Sequence, residues 1–77
     1  MDHEFEKIVD LTKEIFRRSA NVSSYTVRKI NTRYRVNILN SKKKIVFGMQ
    51  GSYDNVKKVC LLIIEEQKVN GGRLYAE

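Results

Sequence analysis

The chain has 77 residues, of which 15 are lysine or arginine and nine are acidic, so its formal net charge is +6. An apolar content of 42% is enough for one hydrophobic core and argues against a disordered chain. A lone cysteine excludes an internal disulfide, and no apolar run reaches the length of a membrane span. We therefore expect a single small domain over residues 1–77 in a reducing, intracellular compartment, cytoplasmic or nuclear.

The first predicted element is an amphipathic helix over residues 3–20. Asp2 is a suitable N-cap, and Asn21 is a suitable C-terminal stop. Apolar and small residues recur at the spacing of one helical face. That predicted inner face consists of Phe5, Ile8, Val9, Thr12, Ile15, Phe16 and Ser19.

Three runs rich in β-branched and aromatic residues predict strands over 24–30, 33–39 and 43–49. Short turns, Asn31-Thr32 and Asn40-Ser41-Lys42, separate them. Side chains alternate between the two faces of a strand, so each run has a core face and an open face. The predicted core face is Tyr25, Val27, Tyr34, Val36, Ile38, Ile45, Phe47 and Met49. The predicted open face is Thr26, Arg28, Ile30, Arg33, Arg35, Asn37, Lys44, Val46 and Gly48.

A second helix is predicted over residues 52–68, with Ser52 as its N-cap and a tail over 71–77. Its predicted inner face is Val56, Val59, Cys60, Ile63 and Gln67. Residues 61–64 are apolar nearly all the way round the helix, more than one inner face requires. Candidate residues for contact with another molecule are Leu61, Leu62 and Ile64.

The predicted order is helix, three antiparallel strands, helix. This is an α+β two-layer αβββα arrangement, in which both helices pack on one face of a three-stranded antiparallel sheet. The other face of the sheet is left open, and four of its nine predicted side chains are cationic while none is anionic. The pattern thus predicts a basic sheet surface.

Positive charge is concentrated in the middle of the chain. Nine basic residues and no acidic residue lie between Ile15 and Tyr53. A field of one sign attracts polyanions, and arginine is a good phosphate ligand. Incidental basicity and an acidic protein partner are the alternatives. Candidate nucleic-acid-binding residues are Arg28, Arg33, Arg35, Lys42, Lys43, Lys44 and Lys57.

Residue types that perform chemistry are sparse. His3 and Cys60 have no metal-ligand spacing, and Cys60 is expected to be a small buried hydrophobe. Residues 48–51 read Gly-Met-Gln-Gly before a helix, which is compatible with a phosphate-binding loop, although a strand end and a turn is favoured. We expect no metal, no cofactor and no enzymatic activity.

The whole-chain order resembles the double-stranded-RNA-binding domain. In that family the second helix opens with Ser-Lys-Lys-x-Ala-Lys, and the corresponding stretch here is Ser52 to Lys57, Ser-Tyr-Asp-Asn-Val-Lys. The serine and the last lysine are kept, while Tyr53 and Asp54 replace the two leading lysines. The resemblance implies an RNA-binding fold whose usual contact helix is altered, with Lys57 as the retained phosphate ligand.

Residues 45–63 are also similar to the closing strand and helix of KH domains. Val56, Val59 and Ile63 follow Gly51 at the apolar positions of that family. The two-helix G-x-x-G element with which KH domains clamp RNA has no counterpart, so this resemblance implies no KH-type groove.

Two hypotheses follow. The first is a non-enzymatic nucleic-acid-binding module, with RNA favoured over DNA, that uses the basic sheet face and the lysine-rich turn. The second is a protein-interaction or dimerisation module with a degenerate RNA-binding fold, of the kind that a small regulator or inhibitor would have. No membrane partner is expected.

Overall fold

A computed structural model of the chain describes residues 2–71. It consists of a helix, three antiparallel strands in the order β1-β2-β3, and a second helix, which confirms the α+β class. The elements are α1 (His3–Arg18), β1 (Ser24–Ile30), β2 (Arg33–Leu39), β3 (Ile45–Ser52) and α2 (Tyr53–Asn70). The predicted tail lies outside the described residues except for Gly71, which ends α2 with a φ of 75°.

Helix α1 starts as predicted and ends two residues early. The Asp2 carboxylate caps it by accepting a hydrogen bond of 3.0 Å from the Phe5 N–H. Ser19 leaves the helix in an extended conformation, and its hydroxyl donates back to the carbonyl of Ile15 at 2.6 Å. Asn21 then takes a φ of 64°, so the chain turns there toward β1.

The N-cap of α1 is also an ion pair that joins the helix to β1. Lys29 Nζ donates to Asp2 Oδ2 at 2.7 Å, and with the Phe5 N–H it holds the pKa of Asp2 below its ordinary value of 3.8. Because the pKa of Asp2 is lower in the folded chain, this interaction stabilises the fold at pH values above the pKa of Asp2 in the unfolded chain. Its contribution is lost as the pH falls through the lower folded value.

We expect Asp2→Asn to lower the melting temperature at neutral pH, because asparagine keeps the cap and loses the charge. In strong acid the parent carboxylate is protonated and uncharged, so the difference in melting temperature between variant and parent should disappear. Thermal unfolding followed by circular dichroism at both pH values measures this. Asp10→Asn on the exposed side of the same helix is the matched control. A deficit of the same size at both pH values would contradict the ion-pair account.

Strands β1 and β2 have the predicted bounds and pair along their whole length, from Ser24 opposite Leu39 to Ile30 opposite Arg33. The hairpin needs a positive φ only at Asn31, which takes 58°. Thr32 keeps a negative φ, and this explains how a β-branched residue is tolerated in a two-residue turn.

Strand β3 is shifted from its predicted range of 43–49, and a β-bulge changes which side chains face the core. Ile38 pairs with Phe47 while Leu39 pairs with Ile45, so Val46 is the extra residue. Val46 is consequently buried, at 7% exposure, and Ile45 is 52% exposed. The predicted faces of these two residues are therefore wrong, whereas Phe47 and Met49 pack against the core as expected.

The core lies between the sheet and the two helices. Tyr34, Val36 and Ile38 of β2 are fully buried under Ile8 and Ile15 of α1 and under α2. Leu11 also joins this core, although the predicted inner face of α1 omitted it. The buried residues of α2 are Val56, Cys60, Ile64 and Gln67. Over residues 2–71, no helix has both the length and the apolar character needed to cross a membrane.

Candidate nucleic-acid interface

The face of the sheet that the helices leave uncovered consists of four rows of side chains, each running across the strands in register. Rows along a strand are two residues apart, which corresponds to about 7 Å. From the β2–β3 turn to the β1–β2 hairpin, the rows are Ser24-Leu39-Ile45, Thr26-Asn37-Gly48, Arg28-Arg35-Gln50 and Ile30-Arg33-Ser52.

Three arginines occupy the two rows at the hairpin end, and we call Arg28, Arg33 and Arg35 the arginine cluster. Arg28 lies directly opposite Arg35 on the neighbouring strand. Arg35 Nη1 donates to Gln50 Oε1 at 2.9 Å, while Arg28 and Arg33 form no ion pair with any acidic residue in the part of the chain that the structure describes. Like charges placed opposite each other destabilise a sheet, so this arrangement has a cost within the fold.

A second group of cations, Lys42, Lys43 and Lys44, forms the turn before β3, and we call it the lysine turn. All three side chains are exposed. The Asn40 side chain holds the loop by accepting from the N–H groups of Lys42 and Lys44 at 2.9 and 3.0 Å. Lys43 takes a φ of 63°. The shape of the turn is therefore set by Asn40, and the lysine side chains extend into solvent.

The arginine cluster and the lysine turn are separate patches. Lys44 precedes β3, and its expected place in the sheet goes to Ile45. The row beside the lysine turn is two rows, about 14 Å, from the row of Arg28 and Arg35. The intervening side chains are neutral, and of the four cations predicted on the open face only the three arginines lie there.

Lys57 lies apart from both patches. It belongs to α2, on the helical side of the sheet, and its Nζ is 5.7 Å from the ring centroid of Tyr53. Tyr53 in turn packs edge-on against the buried Tyr34, with ring centroids 6.2 Å apart. Tyr53 is thus a half-buried core neighbour, and Lys57 does not share a surface with the arginine cluster.

Two amides lie on the open face: Asn37, which was predicted there, and Gln50, which sequence reasoning missed. Asn37 Oδ1 is buried and has no hydrogen-bond partner among residues 2–71. It lies close to Gly48, where an added Cβ would be 3.0 Å from it. Its NH2 group is the part left to solvent. Gln50 Oε1 accepts from Arg35, which likewise leaves the Gln50 NH2 as a free donor. Only the cross-strand register, which the sequence does not show, places Gln50 beside Arg35.

The candidate interaction residues on α2 divide into two kinds. Ile64 is buried in the core, because it lies one turn beyond Cys60 on the inner face, so it is not available to a partner. Leu61 and Leu62 are 44% and 56% exposed, as the prediction requires. Val69, which the sequence reading passed over, is 87% exposed, the highest value for a large hydrophobic residue among residues 2–71.

The remaining chemical candidates have structural roles. Residues 48–51 belong to β3 and Gly51 is buried, so the phosphate-loop interpretation is wrong. Burial raises the pKa of the Cys60 thiol to about 11, which keeps it protonated at neutral pH. No group of three His, Cys, Asp or Glu side chains within residues 2–71 is arranged to hold a metal ion.

Comparison with known proteins adds nothing to these observations. No protein-family model, curated protein or solved structure matches this chain. The candidate site is consequently interpreted from its own geometry.

Proposed function

We propose that this protein is a nucleic-acid-binding module that contacts phosphates through the arginine cluster and the lysine turn. The observation that supports this most is the pair formed by Arg28 and Arg35, two like charges directly opposite each other with no acidic residue on their face. A stable sheet gains nothing from this pairing, whereas a polyanion neutralises both charges at once.

The hydrogen-bonding character of the open face supports contact with the phosphate backbone. Its arginines and the NH2 groups of Asn37 and Gln50 are donors, and phosphate oxygens are acceptors. No aromatic ring occupies the four rows, so the stacking platform typical of single-strand binders is missing from this face. The preference for RNA over DNA comes from the resemblance of the element order to double-stranded-RNA-binding domains.

Salt dependence tests the proposal. Six phosphate contacts, one for each cation of the two patches, predict that the logarithm of the binding constant falls with the logarithm of salt concentration with a slope of about −4 on single strands. Fluorescence polarisation with a labelled oligonucleotide at several salt concentrations measures this slope. No detectable binding at low salt would refute the function.

A matched pair of charge variants locates the contact. Replacing Lys42, Lys43 and Lys44 with glutamine should reduce the magnitude of the slope by about 2. Replacing Lys7, Lys13 and Lys58, which are exposed on the helices, removes the same net charge from the other side of the molecule. An equal reduction of the salt slope in the two variants would mean that net charge, and not the lysine turn, determines binding.

A protein-interaction function is the second candidate, and the exposure of Leu61, Leu62 and Val69 favours it. These residues lie on α2, away from the arginine cluster, so their contact with a partner would leave the open face uncovered. Light scattering at rising concentration, with and without Leu62→Lys, tests self-association. A monomer over the whole range would exclude the dimeric form of this function.

A further inference from the structure

A cleft of about 360 Å³ lies at the end of the sheet where β1 begins and β2 gives way to the lysine turn. It is lined by Asn21, Val22, Asn40, Ser41, Lys42 and Val46. The bulge in β3 turns Val46 inward, and the positive φ of Asn21 brings the loop after α1 to the opposite wall. Its volume lies at the lower end of the range of small-molecule pockets.

The cleft combines an apolar floor with polar walls. Val46 is buried and Val22 half-buried, and both belong to or pack against the core. The Asn21 amide and the Ser41 hydroxyl make no hydrogen bond to any residue of 2–71. Asn40 Oδ1 is occupied by two backbone N–H groups, which leaves its NH2 group as a donor. The walls therefore offer both donors and acceptors, unlike the arginine cluster.

A nucleobase has the complementary character. Its faces are apolar enough to lie on valine side chains, and its edge carries both donors and acceptors, which amides and hydroxyls can satisfy. Lys42 at the rim can bind the phosphate attached to such a base. A phosphate alone would make no favourable contact with the apolar floor or with a hydrogen-bond acceptor of the walls.

We propose that this cleft binds one unstacked base of the strand whose phosphates contact the lysine turn and the arginine cluster, an inference that rests on the proposed function. The base supplies a contact that the open face lacks. It also provides the protein with a means to distinguish a single strand or loop from a fully paired duplex, in which bases remain stacked.

Two asparagines of equal conformation provide a matched pair of variants. Asn21 and Asn31 both have a positive φ, 64° and 58°, which glycine adopts without strain. Asn21→Gly removes an amide from the cleft and preserves the turn. Asn31→Gly makes the same change in the β1–β2 hairpin, at the far end of the sheet. Melting temperatures equal to that of the parent would show that the fold of both variants is intact.

The experiment compares two oligonucleotides of roughly a dozen residues, one with bases and one with abasic residues throughout. We expect the parent protein to bind the base-bearing strand about tenfold more tightly, and Asn21→Gly to lose most of that ratio. Asn31→Gly should keep the ratio. Equal affinity of the parent for both strands would overturn the inference and leave the proposed function standing. Binding to neither strand would overturn both.

Discussion

The variant Arg28→Glu is expected to be more stable than the parent chain and to bind nucleic acid about a hundredfold more weakly. The stability gain arises because Arg28 lies directly opposite Arg35, so the substitution replaces a repulsive cross-strand pair with an attractive one. Such pairs are worth roughly 0.2–1 kcal/mol. The affinity loss arises because one phosphate contact is removed and a repelling charge takes its place, at about 1.5–3 kcal/mol for a charged hydrogen bond.

Chemical denaturation and polarisation titration measure the two effects on the same preparations. The two expected effects have opposite signs, since stability rises and affinity falls. A variant that lost binding through partial unfolding would lose stability as well. Arg33→Gln is the control, since Arg33 lies opposite Ile30 and Ser52 rather than another cation. It should weaken binding by about tenfold without the same gain in stability. Unchanged affinity in Arg28→Glu would exclude the arginine cluster from the interface.

The largest loss of stability from a single polar residue is expected at Gln67. Its side chain is 3% exposed and joins the two helices across 52 positions of sequence, with Nε2 donating to the carbonyl of Ile15 at 3.1 Å. The same NH2 group donates to the Ser19 hydroxyl at 2.8 Å, and Gln67 Oε1 is buried without a partner among the described residues. Gln67 thus fixes the C-terminus of α1 against α2.

Gln67→Ala should destabilise the fold by about 2–3 kcal/mol, because it removes both hydrogen bonds and leaves a cavity. In a chain of this size the melting temperature should fall by roughly 10–20 °C. Gln67→Met is the matched control, since it keeps the volume and removes the unpaired oxygen together with the donors. We expect it to lie within about 1 kcal/mol of the parent. Equal losses of stability in the two variants would show that the hydrogen bonds of Gln67, and not its packing, determine its contribution to the fold.

Elements whose signals are local were predicted well. The bounds of β1 and β2 and the N-caps Asp2 and Ser52 all follow from alternation, capping chemistry and turn residues within a few positions. Strand β3 was misplaced because the alternation of residues 43–49 does not reveal which residue a bulge will insert. One extra residue reversed the faces assigned to Ile45 and Val46.

The candidate sites show the same difference between features with local sequence signals and features that depend on contacts between distant segments. The sequence by itself determined the order of the elements, the sign of the charge on the open face and the exposure of the lysine turn, because these depend on residue type and short-range spacing. Only the tertiary structure decided that the basic residues form two patches, that Ile64 is core and that a cleft lies beside Lys42. Each of these depends on register or packing between distant segments, and such pairings are chosen by the whole core and not by neighbours in the chain.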